Sequence, residues 1–238
     1  MRAKINAAVA IPRFVSLAGD RFLMGNDRGR PDEQPAHDVT LRPFLAALEP
    51  VSNREYAVFL TATGHPPPPF IDDPRFGAPG QPAVGISWFD ASAYCDWIRA
   101  ETGAAARLPT EAERECAARG GLAGQAWPWG EAPPASIGAL RPVADLAHPH
   151  VPSASCENGY GLRCMAENVH EWCSDWYDKD YYRDSPPANP DGPDQGARKA
   201  SRGGAWRHRV KFTPVAARSS LVPTFQYNDY GFRVYADA

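Results

Sequence analysis

The stretch RLPTEAERECAARGG, from Arg107 to Gly121, decides the fold of this chain. It predicts a helix whose beginning and end are both encoded locally. Thr110 stands three residues before Glu113, the spacing of a capping box in which each side chain accepts a backbone N–H at the start of the helix. Gly120 and Gly121 stop it, because glycine readily adopts the left-handed conformation that ends helices.

Two further helices are predicted upstream by the same signals. Ser52 and Glu55 make a capping box, and Gly64 ends that helix. In SWFDASAYCDWIRAETG, Asp90 is the predicted N-cap and Gly103 the stop. The predicted buried faces consist of Tyr56, Phe59 and Leu60 in the first helix and Tyr94, Trp97 and Ile98 in the second.

The rest of the chain reads as short strands and turns. The segment RFVSLAGDRFLMG favours a hairpin with its turn at Gly19-Asp20. Beyond residue 121 no helix is predicted, and turn-rich pieces such as WPWG and SPPANPDGPDQG dominate. There is no internal repeat or long linker. The simplest expectation is one α+β domain spanning residues 1–238.

Composition narrows the function. The chain has 238 residues, a formal net charge of −3, 22% charged and 43% hydrophobic residues, which is ordinary for a soluble globular protein. The charge gives no case for nucleic acid or an anionic membrane as a partner. No apolar run approaches the ~20 residues of a spanning helix, and the N-terminus is too weak for a secretory signal. We therefore expect a cytoplasmic monomer.

Proline, glycine and cysteine add two expectations. The 25 prolines and 20 glycines imply a large fraction of irregular backbone. An odd number of cysteines in a chain with no export signal predicts reduced thiols rather than a disulfide framework. The five are Cys95, Cys116, Cys156, Cys164 and Cys173.

Nine motifs, in order along nearly the whole chain, carry a family resemblance. They are GDRFLMGN, PAHDVTL, PVSNREYAVFLTATG, PAVGISWFDASAYCDW, RLPTEAERECAARGG, WPWG, NGYGLRCMAENVHEWCSDWY, RGGAW and GFRV. The chain resembles the formylglycine-generating enzyme (sulfatase-modifying factor) family. The resemblance implies an irregular α+β fold of the C-type-lectin-like kind, with little regular secondary structure. It does not settle function, because one fold hosts many activities.

The resemblance also implies an active site that this chain cannot build. In the family, two cysteines after Arg-Gly-Gly bind copper and oxidise a substrate cysteine to formylglycine. Counting from Gly203-Gly204, His208 stands at the first of these positions and Thr213 at the second. No cysteine follows Cys173. We therefore expect neither a copper–dithiolate site nor formylglycine generation.

His208 has two interpretations at this stage. Its imidazole titrates near neutrality and suits metal binding or proton transfer, which makes it the candidate catalytic residue. Alternatively it is a loop histidine in a basic, solvated cluster. The candidate ligand pocket consists of Trp206, Arg207, Arg209, Arg218 and Tyr227, with arginines able to bind carboxylate or phosphate. A competing interpretation places Arg218 in a buried ion-pair network with Asp229 and Arg233.

Two other sets of residues offer potential metal ligands. The resemblance implies a structural calcium ion held by Asn168 and Glu171, although Glu167 stands where the family usually has glycine. Cys164, His170 and Cys173 would need Cys156 to complete a zinc site at irregular spacing. Buried structural thiols are the favoured interpretation of these cysteines.

Two functions from different classes remain open. The first is an oxidoreductase with an altered metal site, acting on an unknown small-molecule or peptide substrate. The second is a non-catalytic lectin-like module that binds a ligand or protein, including a retroelement-diversified variable protein. In that case the variation would lie in the segment from Trp206 to Tyr230.

Overall fold

A computed structural model of the chain describes residues 12–130, 147–152, 157–208 and 213–238. Strands β1 (Phe14–Leu17) and β2 (Asp20–Met24) follow each other closely but join different sheets. The hairpin predicted for them is wrong. Gly19 has φ +84°, and a Cβ there would lie 2.4 Å from the carbonyl oxygens of Leu41 and Arg42. The turn therefore redirects the chain from one sheet to the other.

The two sheets are completed by strands distant in sequence. Strand β2 pairs antiparallel with β3 (His37–Leu41). Strand β1 pairs with β4 (Phe44–Ala47), and the sheet continues through β10 (Tyr235–Asp237) to β5 (Ala106–Arg107). The end of the chain thus lies between strands from its beginning and its middle, which closes the core.

Three helices form where the sequence predicts them. Helix α1 (Asn53–Thr63) carries the Ser52–Glu55 capping box and ends at Gly64. Helix α3 (Glu111–Arg119) carries the Thr110–Glu113 box and ends at Gly120. Helix α2 (Trp88–Thr102) ends at Gly103 as predicted. Each of these three glycines adopts the left-handed conformation.

The N-cap of α2 requires a correction. Ser87, not Asp90, caps the helix, and its side chain accepts the backbone N–H of Asp90. Asp90 occupies the third helical position and accepts the backbone N–H of Ser87 in return, at 2.9 Å. The residues form a capping box one turn earlier than expected. The predicted face of α2 is buried in an aromatic core that it shares with α1.

All nine residues of α3 are buried, although five of them are charged: Glu111, Glu113, Arg114, Glu115 and Arg119. Burial of charge is tolerated when each group is paired and hydrogen-bonded. Here Glu111 accepts from both Arg202 and Arg218, at 3.0 and 2.8 Å. The core beside Glu111 of α3 is therefore held by buried ion pairs.

The C-terminal sheet positions the candidate site. Its strand order is β8 (Arg218–Leu221), β7 (Lys199–Arg202), β6 (His170–Trp176) and β9 (Tyr230–Gly231). Strands β6 and β9 run parallel, with His170 beside Tyr230. Between residue 121 and the C-terminus, the described residues contain no α-helix, as predicted, but include a short 3-10 turn at Tyr181–Arg183.

The structure describes four of the cysteines, and all of them are buried: Cys95, Cys116, Cys164 and Cys173. Cys156 lies outside the described residues. Across the described ranges, no helix combines the length and apolarity needed to cross a bilayer.

Candidate functional site

Two glycines bring the end of β7 against the loop that precedes β6. Gly203 has φ +80°, a conformation that L side chains rarely adopt. A Cβ on Gly204 would lie 2.0 Å from Cγ2 of Thr213 and 2.6 Å from the carbonyl oxygen of Ala166. Glycine is thus required at both positions, first for backbone conformation and then for close approach.

Trp206 forms a wall beside this loop. Its backbone N–H donates to the carbonyl of Asn168 at 2.8 Å, and its indole N–H donates to the carbonyl of Asn228 at 3.2 Å. The ring packs against Phe76, with centroids 6.1 Å apart. These contacts fix the segment that carries His208 relative to both strands of the site.

Three polar side chains converge next to Trp206. One potential ligand atom from each of His170, His208 and Asp229 lies within 4.8 Å of the others. The β6–β9 pairing is responsible, because the backbone N–H of His170 donates to the carbonyl of Asp229 at 2.8 Å. His208 enters from the turn after β7, and its ring meets that of His170 edge to face with centroids 5.0 Å apart.

His170 is held neutral. Burial, with a smaller contribution from charge repulsion by His208 and Arg207, lowers its pKa to about 3. A hydrogen bond with the Gly203 backbone acts in the opposite direction. The Nδ1 atom has no hydrogen-bond partner among the described residues. A buried nitrogen without a hydrogen-bond partner costs stability unless a water molecule or an ion satisfies it.

His208 and Asp229 share this desolvated environment. Burial lowers the pKa of His208 and raises that of Asp229, although Arg207 opposes the second shift. Arg207 Nη2 lies 2.6 Å from Asp229 Oδ2, while Oδ1 has no hydrogen-bond partner in the described part of the chain. Since the Arg207 side chain is 47% exposed, its guanidinium covers the cluster from the solvent side.

Two histidines and one carboxylate are a recognised ligand set for mononuclear iron and related divalent ions, with coordination positions left open. Ligands must be deprotonated to bind, and both histidine pKa values are already lowered. Nδ1 of His208 accepts the Ala205 N–H at 3.3 Å, a long bond that a metal ion would replace. The residues therefore fit a metal ion. Because the lowered pKa values favour neutral histidines, metal binding would not have to displace protons from them.

The three remaining predicted pocket residues have different positions in the structure. Tyr227 is 45% exposed, and its ring meets that of Phe225 edge to face. Arg209 lies outside the described residues. Arg218 does not line the pocket, because its side chain is buried and its guanidinium donates to both oxygens of Glu111.

The predicted network of Arg218, Asp229 and Arg233 is also wrong. Arg218 pairs with Glu111, Asp229 with Arg207 and Arg233 with Glu171. The partner of each group comes from a segment distant in sequence or, for Asp229, from the turn after β7. Spacing within the C-terminal segment did not reveal these pairings.

Asn168 and Glu171 do not fit the calcium site that the resemblance implied. Both Glu171 oxygens are engaged, by Arg114 Nε at 2.7 Å and by Arg233 Nη2 at 2.9 Å. The Asn168 amide instead binds the backbone of His150, accepting its N–H and donating to its carbonyl, each at 2.9 Å. Two guanidinium groups beside Glu171 would repel a calcium ion bound through its carboxylate.

Three residues of the zinc site considered from the sequence have different partners in the structure: Cys164, His170 and Cys173. Cys164 Sγ contacts His150, at 3.6 Å from Nε2. His170 faces His208, while Cys173 is buried beside the carbonyl of Glu171. Sequence reasoning missed His150, and it gave Asp229 a structural role. No local spacing reveals either one, because both reach their partners through long-range packing.

Comparisons with known proteins agree with the fold. The family described as "Sulfatase-modifying factor enzyme 1-like domain" matches residues 2–238. A formylglycine-generating enzyme of Streptomyces coelicolor is 34% identical, covering 94% of this chain and 89% of the relative. PvdO from Pseudomonas aeruginosa has a similar structure, with TM-score 0.83, 29% identity and 95% coverage of both chains. Variable protein 1 of Treponema denticola shares the fold, with TM-score 0.81, 22% identity, and coverage of 94% of this chain and 95% of that one.

Proposed function

The chain belongs to the sulfatase-modifying factor enzyme 1-like family, and on that premise we propose that it is a metal-dependent oxidoreductase with a replaced metal site. His170, His208 and Asp229 hold a divalent transition-metal ion of the iron type. The substrate is a small molecule or a peptide, and dioxygen is the oxidant. The convergence of these three side chains within 4.8 Å is the observation that carries the proposal.

The position of the cluster supports an active site rather than a structural one. His208 stands, by count from Gly203-Gly204, where the resembled enzymes carry the first copper-binding cysteine. A thiolate suits soft copper, whereas imidazole and carboxylate suit harder divalent ions. His208 is only partly buried, so an ion bound there would be reachable from solvent. The ligand set has changed while the location in the fold is kept.

Arg207 has a defined part in this proposal. Without metal, its guanidinium neutralises Asp229 at 2.6 Å. A divalent ion held by Asp229 would neutralise that carboxylate instead, which would leave the Arg207 guanidinium available for an anionic group of the substrate. Arg207→Ala should therefore strengthen metal binding while weakening the binding of an anionic substrate.

Metal binding is the direct test. Metal-depleted protein titrated anaerobically with Fe(II) should bind one ion at this site, and His170→Gln should lower the affinity at least tenfold. His65→Gln is the matched control, since His65 pairs with Asp90 and is not one of the clustered ligand residues. Equal Fe(II) affinity in wild type and in folded His170→Gln would contradict the proposal. Oxygen consumption in the presence of Fe(II) and candidate thiols then tests for catalysis.

A non-catalytic binding module is the second candidate. The observation that favours it is the exposed aromatic pair Phe225 and Tyr227, each 45% exposed and in mutual contact at 5.9 Å. Exposed aromatic side chains commonly anchor ligands or partners. If Phe225→Ala abolishes capture of a ligand while His170→Gln does not, this function replaces the first.

A further inference from the structure

A second cluster of potential metal ligands includes His150, whose backbone the Asn168 side chain holds. His150, Cys164 and Glu167 each offer one ligand atom, and these atoms lie within 4.8 Å of one another. Cys164 and Glu167 are buried, whereas His150 is partly exposed. The set shares no residue with His170, His208 and Asp229, and it contains a sulfur atom where that set has none.

The distance between Cys164 Sγ and His150 Nε2 matches the spacing of two zinc ligands. With Zn–S of about 2.3 Å and Zn–N of about 2.05 Å, a tetrahedral angle places sulfur and nitrogen about 3.6 Å apart. Cys164 Sγ and His150 Nε2 are 3.6 Å apart. Before metal binding the same distance suits a weak thiol–imidazole hydrogen bond. Little movement of these two side chains is needed to accept the ion.

The backbone around the cluster is fixed independently of any ion. The Asn168 amide holds both the N–H and the carbonyl of His150, and Gln81 Nε2 donates to the carbonyl of Pro149 at 2.6 Å. Cys164 has φ +57° and Asn168 has φ +83°, both unusual for residues other than glycine. Such conformations persist only where surrounding contacts enforce them, and they often accompany functional sites.

The charges select the same ion. A thiolate and a carboxylate contribute two negative charges and a neutral imidazole none, so a divalent cation makes the buried cluster neutral. Burying a neutral cluster avoids most of the cost of burying an unpaired charge. Calcium prefers oxygen ligands alone, and copper(I) prefers sulfur without carboxylate. Zinc accepts all three ligand types.

We propose that His150, Cys164 and Glu167 form a zinc site, with the fourth coordination position left to water. Binding releases the Cys164 thiol proton to solvent as the Zn–S bond forms. A bound ion would link residues 147–152 to the loop after Cys164, in addition to the hydrogen bonds that already hold His150. The site stands whether or not the proposed oxidoreductase activity is correct, because it rests on different residues.

Cobalt(II) distinguishes the two clusters spectroscopically. Cobalt replaces zinc with the same geometry, and a bound thiolate gives an intense near-ultraviolet charge-transfer band. Metal-depleted full-length chain titrated with Co(II) should show this band with one equivalent bound. Cys164→Ser should remove the band, whereas His208→Ala should keep it because no sulfur serves the other cluster. Cys116→Ser is the matched control, since Cys116 is buried against the carbonyl of Gly19.

His150→Ala is the second variant, in case Cys164→Ser fails to fold. His150 is partly exposed and contributes a side chain at the edge of the cluster. It should fold with the wild-type circular dichroism spectrum and lose at least tenfold in zinc affinity in a competition titration. A folded wild type without the charge-transfer band overturns the proposal. So does a band that survives Cys164→Ser, or zinc affinity unchanged in His150→Ala.

Discussion

Replacing Glu171 by glutamine tests the account of the buried charges most directly. The change keeps the shape of the side chain and removes its charge. Glu171 is fully buried and pairs with Arg114 and Arg233, whose side chains are 1% and 0% exposed. Removing one partner from such a buried pair costs about 3–5 kcal/mol, because an uncompensated charge remains. Here two guanidinium groups lose their counter-charge, so we expect the upper part of that range.

The expected loss is large relative to the stability of a typical domain, about 5–15 kcal/mol. For a chain of this size it corresponds to a fall in Tm of about 6–20 °C. Urea unfolding followed by tryptophan fluorescence measures it. The control is Asp38→Asn, because Asp38 forms an exposed pair with Arg21. A pair of that kind contributes less than about 1 kcal/mol.

The effect of calcium on thermal stability can refute the ion-pair account of Glu171. If Glu171 were a calcium ligand, added calcium would raise the Tm of EGTA-treated wild type, and Glu171→Gln would abolish the effect. The geometry predicts no calcium-dependent shift through Glu171. Calcium stabilisation that is lost in Glu171→Gln, with a free energy of unfolding within about 1 kcal/mol of wild type in its absence, would refute the ion-pair reasoning.

Other consequences can be measured with single variants. The pKa of His170 is lower in the folded protein than in the unfolded chain, so its contribution to stability is present above pH ~6.5 and is lost as pH falls toward 3. The loss is up to about 1.4 kcal/mol per pH unit. In metal-free protein, His170→Gln should therefore reduce the fall in the free energy of unfolding at acid pH, as measured by urea unfolding. Burial and the charge of Glu111 raise the pKa of Asp175 to about 7, so stability is lost as pH rises from ~3.8 to 7. The stability of Asp175→Asn relative to wild type should therefore increase between pH 5 and 8. Gly204→Val should yield insoluble protein, since its Cβ meets Thr213 at 2.0 Å, while His208→Ala should unfold cooperatively within about 1 kcal/mol of wild type. Mass spectrometry of a sulfatase-type cysteine peptide incubated with the protein and copper should show no aldehyde, and useful turnover would reverse the expectation drawn from the missing cysteine pair.

Local signals predicted the helices, and pairing at a distance escaped prediction. The boxes at Ser52–Glu55 and Thr110–Glu113 depend on residues three apart, so the sequence contains the whole interaction. The strand β1 pattern contained no information about its partner, β4, which lies about thirty residues away. The hairpin interpretation failed because it assigned the nearest strand as the partner.

The candidate site shows the same division. His208 was identifiable because its position after Gly203-Gly204 is encoded in a short motif. Its neighbours His170 and Asp229 arrive through the parallel pairing of β6 and β9, which has no signature in spacing. Glu171 looked like a metal ligand for a related reason. Its partner Arg114 stands 57 residues earlier, on a helix whose buried charges are unexpected for a core element.

Helix α3 has a consequence for how this sequence can vary. Glu111 serves Arg202 and Arg218 together, and Glu115 serves Arg119 and Arg202, so Arg202 joins the two carboxylates. Any single apolar replacement leaves an opposite charge buried and uncompensated, whereas simultaneous replacement of a whole set by well-packed apolar residues is often neutral or favourable. Double-mutant cycles across Glu111 and Arg218 should therefore show strong coupling rather than additive losses. Substitutions at these positions are expected to be tolerated as linked groups, with each single intermediate less stable than either end state.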